Sequence, residues 1–182
     1  MLKTTDILDE RDKRLRKVSA EVKFPLTKDD LNNIEKMIEY LKNSQIEELS
    51  LKYDLRPGMG LSACQLGVNK RYFVIVHEQE DGSFKEYIII NPEIVSYSDE
   101  LIYACDGEGC LSVNRDVEGI IPRYARVTVK ARDLNNKEIS IRAREELAIA
   151  FQHEMDHLNG ILFFDKIDKD NPFKNNDKMR PL

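Results

Sequence analysis

The stretch REELAIAFQHEMDHLNG, residues 144–160, decides how this chain is read. From Arg144 to Leu158 it is rich in helix formers, and it stops at Gly160, a residue suited to the position just past a helix end. Inside it, His153-Glu154-Met155-Asp156-His157 matches the pattern H-E-x-x-H. On a helix, positions four apart share a face, so His153 and His157 can turn both imidazoles towards one ion. Glu154 lies about 100° further round, close to such an ion but offset from it, the placement of a group that takes a proton from water. Two histidines make two ligands, and a catalytic metal of this type takes three from the protein.

Upstream of this helix the hydrophobic period is two rather than 3.6. The segments RYFVIVHE (71–78) and EYIIINPEIVSYS (86–98) flank the turn signal Asp81-Gly82-Ser83. ARVTVKARD (125–133) and EISIRA (138–143) flank Asn135-Asn136 in the same way. Nearer the start, Thr27 and Asp30 form a capping-box pair, followed by Leu31, Ile34, Ile38 and Leu41 as one expected buried stripe. A second short helix is expected over Ile46 to Tyr53, ended by Pro57-Gly58. The expected fold is therefore α+β, with mostly antiparallel sheets around a central helix that carries the H-E-x-x-H motif. No repeat or Pro/Gly/Ser-rich linker divides the chain, so residues 1–182 are expected to form one catalytic domain. Residues 1–57 would be its helical N-terminal region, and residues 165–182 a charged tail with frayed ends.

Composition narrows the function classes. The 182 residues are 41% apolar and 34% charged, with a net charge of −5. A nucleic-acid surface needs a basic face to neutralise phosphates, and the basic cluster from Arg11 to Lys17 has acidic residues in and beside it, so no direct nucleic-acid binding is expected. The first residues lack an apolar h-region, and no stretch approaches the length of a membrane span. Three cysteines, an odd number with no export signal, fit a reducing cytoplasm.

The third ligand has few sources. In the metzincin continuation of H-E-x-x-H the final histidine would fall on Phe163, which excludes it. The thermolysin-like continuation needs a later glutamate, and none follows Glu154. The aspartates Asp165, Asp168, Asp170 and Asp177 sit in the helix-poor tail. His77 reads as a strand-end residue facing water, and Cys105, after Leu101-Ile102-Tyr103-Ala104, as a small core residue. Cys64 and Cys110 both lie in glycine-flanked segments where backbone can approach a ligand closely. The residues by themselves leave these two in contention.

Three segments then carry a resemblance. Gly58-Met59-Gly60-Leu61-Ser62-Ala63-Cys64-Gln65, Glu108-Gly109-Cys110-Leu111-Ser112 and His153–His157 occur in order and at the spacing of the peptide deformylases. The residues before the first segment and the Pro122-Arg123 region resemble the type II, Gram-positive branch. The resemblance makes Cys110 the third metal ligand beside His153 and His157. It implies Glu154 as general base and then acid, with the Gln65 side-chain amide and the Leu111 backbone N–H as donors to an oxyanion. It places Met59 and Ile149 in the wall of a methionine pocket, and the Gly58–Leu61 backbone along an extended substrate. The reaction implied is removal of the formyl group from N-formylmethionyl nascent peptides, releasing formate, by a cytoplasmic monomer working near the ribosome. The implied cofactor is one divalent ion, Fe²⁺, for which Zn²⁺, Ni²⁺ or Co²⁺ can substitute.

Two departures from the family pattern stand in the first segment. Ser62 replaces the usual alanine, a small change expected to be tolerated. Cys64 replaces the commoner proline or threonine, and is expected to alter loop stiffness or offer an oxidation site. Glu108 is expected to hold the loop bearing Cys110, and Asp156 to pair with Arg123. Two rival readings remain at this point. A peptidase acting on internal bonds would have no need of Gln65 or of the Cys110 segment. A structural metal staple would need a fourth protein ligand from Cys64, Cys105 or His77.

Overall fold

The structure is a computed structural model that describes residues 1–182. Two helices, α1 (Lys28–Gln45) and α2 (Glu47–Tyr53), precede the strands β1 (Gly60–Ser62), β2 (Tyr72–Glu78), β3 (Phe84–Tyr97), β4 (Leu101–Tyr103), β5 (Arg123–Tyr124), β6 (Arg126–Arg132) and β7 (Glu138–Arg144). Helix α3 (Glu145–Leu158) follows, and β8 (Arg180–Pro181) lies at the end of the chain. One antiparallel sheet has the order β1-β2-β3-β6-β7, which leaves β1 at its edge. A smaller sheet, β5-β4-β8, pairs β4 with β5 antiparallel and with β8 parallel. The protein is a mixed α+β fold built on antiparallel sheets.

The alternation of side chains in β2 explains why the sheet has a helix on each face. Tyr72, Val74 and Val76 pack with Ile34, Met37, Tyr40 and Leu41 of α1. Phe73 and Ile75 point the other way, into a second core with Ala148, Phe151, Met155 and Leu158 of α3. Phe151 meets Phe73 and Tyr87 edge-on, with ring centroids 5.6 and 5.7 Å away. Both faces of β2 are thus buried, and α3 is pinned beneath the sheet close to β1.

Helix α1 begins as its sequence dictates. The Asp30 N–H donates to Thr27 Oγ1 at 3.2 Å, and the Thr27 N–H donates back to Asp30 Oδ2 at 3.1 Å. Asp30 is only 2% exposed and also receives Lys70 Nζ at 2.5 Å. Of the expected stripe, Ile34 and Leu41 are buried and Ile38 packs on the same core. Leu31 is exposed, and the buried positions are Asp30, Ile34, Met37, Tyr40, Leu41 and Ser44. Apolar periodicity alone could not anticipate a buried aspartate paired across to the β1–β2 loop.

The tail also differs from expectation. Residues 180–181 pair in parallel with β4, Met179 is buried, and Arg180 reaches Glu100 and Glu145 at 2.9 and 2.8 Å. A two-residue strand has no periodicity to read, so the tail looked like loop. Cys105 is exposed rather than in the core. Its N–H donates to Leu182 O at 3.0 Å, so it belongs to the edge where the tail docks.

Asp30→Ala removes the side-chain half of the cap and the Lys70 pair, while the bond from the residue-30 N–H to Thr27 Oγ1 remains. It should lower the free energy of unfolding by about 1–2 kcal/mol in urea titrations. A loss below about 0.5 kcal/mol would show that the cap and the ion pair do not hold α1.

Candidate active site

Helix α3 buries eight consecutive residues, Phe151–Leu158, including Gln152, His153, Glu154, Asp156 and His157. Burying five polar side chains is costly unless each finds a partner, so their partners define the site. Gln152 is spent on structure: its amide exchanges hydrogen bonds with the Tyr124 backbone at 2.9 Å each way. Asp156 accepts from Arg123 Nη1 at 2.6 Å and lies 3.2 Å from Lys166 Nζ. Arg123 is itself 2% exposed and grips Glu108 with Nε and Nη2 at 2.6 and 2.7 Å. This is the two-pronged guanidinium–carboxylate geometry. Glu108 in turn sits 2.9 Å from His153 Nδ1. The expected pairing of Asp156 with Arg123 is present, and Glu108 does more than hold a loop, because it also orients a histidine.

With Nδ1 committed to Glu108, His153 has Nε2 left to face its neighbours. His157 Nε2 lies 3.3 Å from Cys110 Sγ. The ligand atoms of Cys110, His153 and His157 all fall within 4.8 Å of one another, and all three residues are buried. The Cys110–His157 spacing is close to what two ligands ~2.0–2.3 Å from one ion adopt. Burial, reinforced by the nearby His153, holds His157 well below the ordinary histidine value, so its ring offers a lone pair. His153 moves the opposite way: burial lowers it, but hydrogen bonds to Cys110 and Glu108 outweigh that and raise it. One thiol and two imidazoles in this arrangement could hold a divalent ion, with room for a non-protein fourth ligand.

The cysteine left open by the sequence is decided by geometry. Cys64 Sγ donates to the His157 backbone carbonyl at 3.5 Å and takes no part in the three-residue group. Burial and the nearby Glu154 push its thiol up to about 12. A buried thiol held protonated is also a poor oxidation site, contrary to expectation. Cys105 is exposed, and His77 lies on the rim beside Gln79 and 4.0 Å from Glu146. None of the three can complete a structural staple.

The cavity in front of this group measures about 710 Å³ and is lined by Gly58, Met59, Gly60, Gln65, Cys110, Leu111, Ile149, His153 and Glu154 among others. Of the expected substrate residues only Leu61 keeps its side chain out of the cavity; it is wholly buried in the α1 core. Gln65 is held in one orientation. Its Oε1 accepts the Ser62 N–H at 2.8 Å, and its Nε2 points towards Ser112 Oγ at 3.1 Å and Cys110 Sγ at 3.9 Å. The Leu111 N–H donates to no protein acceptor. Glu154 is 3% exposed, and its Oε2 receives the Ser62 hydroxyl at 2.6 Å. A Cβ on Gly60 would come within 3.0 Å of Glu154 Cγ and overlap Oε1, so glycine is required for the carboxylate to sit there. Burial raises the Glu154 carboxyl, and the charge of His153 with the Ser62 bond offsets part of that rise.

Arg56 was not foreseen. Its guanidinium donates to the carbonyls of Leu111, Cys110 and Val113 at 3.3, 3.1 and 3.0 Å and also bonds Asn114. It ties the loop bearing Cys110 to the segment leading into β1. An arginine before a proline carries no local signal for such long-range contacts.

The family profile described as Polypeptide deformylase matches residues 4–173. "Peptide deformylase 2" of Bacillus anthracis is 46% identical over 182 residues, spanning 100% of this chain and 99% of its own. The chain belongs to the peptide deformylases. The deformylase structure from Thermotoga maritima aligns with a TM-score of 0.67 at 32% identity, covering 89% of this chain and 96% of that one. A Met-Ala-Ser-bound class I type b deformylase from Acinetobacter baumannii aligns at 0.68 and 27% identity, covering 88% and 96%. The protein is accordingly a hydrolase that removes the N-formyl group from the N-formylmethionine of newly synthesised polypeptides, releasing formate. The family is metal-dependent, and this deformylase has a metal-capable group in Cys110, His153 and His157. No helix is long and apolar enough to cross a membrane.

Glu108 gives a pH prediction. Burial would raise its carboxyl, but Arg123 and then His153 outweigh burial and hold it at about 2, against 4.5 ordinarily. A carboxyl lowered on folding stabilises the native state above its unfolded value, and that contribution is lost as pH falls towards the folded value. The stability gap between wild type and Glu108→Gln should therefore be about 3 kcal/mol near neutrality and close between pH 4.5 and 2. Denaturant titrations across that range check it, and a gap that does not change with pH would refute the assignment.

Proposed function

We propose that Cys110, His153 and His157 hold one divalent ion in this deformylase and that Glu154 moves the proton. The observation that carries the reading is that Cys110, His153 and His157 form one group, and that Cys110 and His153 line one cavity together with Glu154 and Gln65. Such an ion, when bound, lowers the pKa of water and polarises the carbonyl under attack. Glu154, through the Oε1 beside Gly60, accepts the proton released as water adds to the formyl carbon. The developing oxyanion is met by Gln65 Nε2, already aimed by Ser62, and by the uncommitted Leu111 N–H. Glu154 then delivers its proton to the leaving amine, and formate departs.

The ion we favour is Fe²⁺, with Zn²⁺, Ni²⁺ or Co²⁺ as substitutes, because one thiolate with two imidazoles suits this part of the first-row series. Met59 and Ile149 supply apolar wall for the methionine side chain. The free edge of β1 offers the Gly58–Leu61 backbone to an extended peptide, which would add to the sheet as a further strand. The tripeptide Met-Ala-Ser bound to the Acinetobacter relative is the kind of ligand this edge would take. We further read residues 1–182 as one catalytic domain, acting as a cytoplasmic monomer on nascent chains near the ribosome. The net charge of −5 favours a peptide partner over direct nucleic-acid contact.

Anaerobic purification, metal analysis and formate release from formyl-Met-Ala-Ser test the assignment. Glu154→Ala should retain the ion and lose about 100- to 10,000-fold in kcat, whereas Cys110→Ala should lose the ion itself. Gln65→Leu should keep the ion and lose about 100-fold. Full activity in Glu154→Ala, or full metal content in Cys110→Ala, would overturn these roles.

A further inference from the structure

Ser62, the residue that departs from the family's usual alanine, touches the proposed general base. Its side chain is completely buried, and its Oγ lies 2.6 Å from Glu154 Oε2 and 3.2 Å from the Glu154 backbone carbonyl. A carboxylate and a carbonyl can only accept, so the hydroxyl is the donor, and its single proton goes to the shorter contact. The other carboxylate oxygen, Oε1, packs against Gly60 at the cavity wall. One oxygen of Glu154 is therefore anchored in the protein and the other is presented to the cavity. Without the hydroxyl, the carboxylate would be free to rotate about its last bond, and Oε2 would lose a buried partner.

We propose that the Ser62 hydroxyl is a positioning residue for deformylation: it clamps Glu154 Oε2 so that Oε1 faces the formyl group. This rests on reading Glu154 as the proton carrier. The clamp is built on β1, the same strand that lines the substrate edge, so one short segment sets both the base and the peptide path. The Ser62 backbone N–H separately fixes Gln65 Oε1 at 2.8 Å, and that donor is kept in Ser62→Ala. Removing the hydroxyl therefore isolates its action on Glu154 from the orientation of Gln65. Alanine differs from serine only by the missing hydroxyl and adds no bulk to the buried site, so Ser62→Ala should fold. Because Glu154 itself remains, the cost should be a fraction of the rate rather than the whole activity.

The test compares Ser62→Ala with wild type as metal-loaded full chains, using formyl-Met-Ala-Ser. The proposal expects kcat to fall about five- to tenfold, the factor an ordinary hydrogen bond is worth, with KM unchanged within twofold. Metal content should match wild type, and the melting temperature should fall by no more than about 10 °C, leaving the enzyme folded at the assay temperature. The discriminating variant is Glu154→Asp, whose shorter side chain draws the carboxylate away from Ser62. In that background Ser62→Ala should leave kcat unchanged. A role confined to the Glu154 backbone carbonyl would instead cost the same in both backgrounds, and that result overturns the proposal. So does a Ser62→Ala enzyme with wild-type kcat. If Glu154→Ala is inactive while Ser62→Ala is not impaired, only the clamp fails; a fully active Glu154→Ala overturns both.

Discussion

Arg123 is the constraint on which the rest of the site depends. A guanidinium that is 2% exposed cannot stay buried without anions around it, and it takes Glu108 from the loop before Cys110 and Asp156 from α3. That single cation therefore fixes the distance between the loop carrying the thiol and the helix carrying the imidazoles. Glu108 extends the chain one step further by orienting His153. The loop bearing the thiol and the His153 ring are held by neighbours that are themselves held, which is what a metal group needs if its geometry is to be preset.

The sheet supplies the second half of the arrangement. Because β2 buries side chains on both faces, α1 and α3 are held on opposite sides of it, and β1, at the sheet edge, runs past the middle of α3. Gly60 permits that close approach, and Ser62 turns it into a hydrogen bond. The proposed base, oxyanion donor and peptide edge all depend on a strand and a turn of only a few residues. Arg56 braces the same region from below by collecting three carbonyls of the Cys110 loop.

The sequence made some of this legible and hid the rest for physical reasons. Helix α3, the two main hairpins and the Thr27 cap follow from periodicity and turn chemistry, and the structure has them. His153, Glu154 and His157 were readable because their spacing is set within one helix. Cys110 was not separable from Cys64 on the residues alone, since loop glycines are equally permissive at both; the resemblance chose Cys110, and the hydrogen bond from Cys64 to α3 backbone explains why the other is excluded. Of the α1 stripe only Leu31 fails, beside an Asp30 that is buried through a partner forty residues away; Ile34 and Leu41 are buried and Ile38 packs on the same core. The tail and Cys105 were misjudged because two-residue pairings leave no pattern. Ser62 was expected only to be tolerated, and its contact with Glu154 is invisible until two distant segments meet.

The central claim is that one ion sits on one sulfur and two nitrogens of this chain. X-ray absorption at the metal edge of the anaerobically purified protein tests it most directly. The account predicts one sulfur at about 2.3 Å and two imidazole nitrogens at about 2.0–2.1 Å, with any remaining ligand a light oxygen atom. A first shell without sulfur, or with two sulfurs, would contradict it.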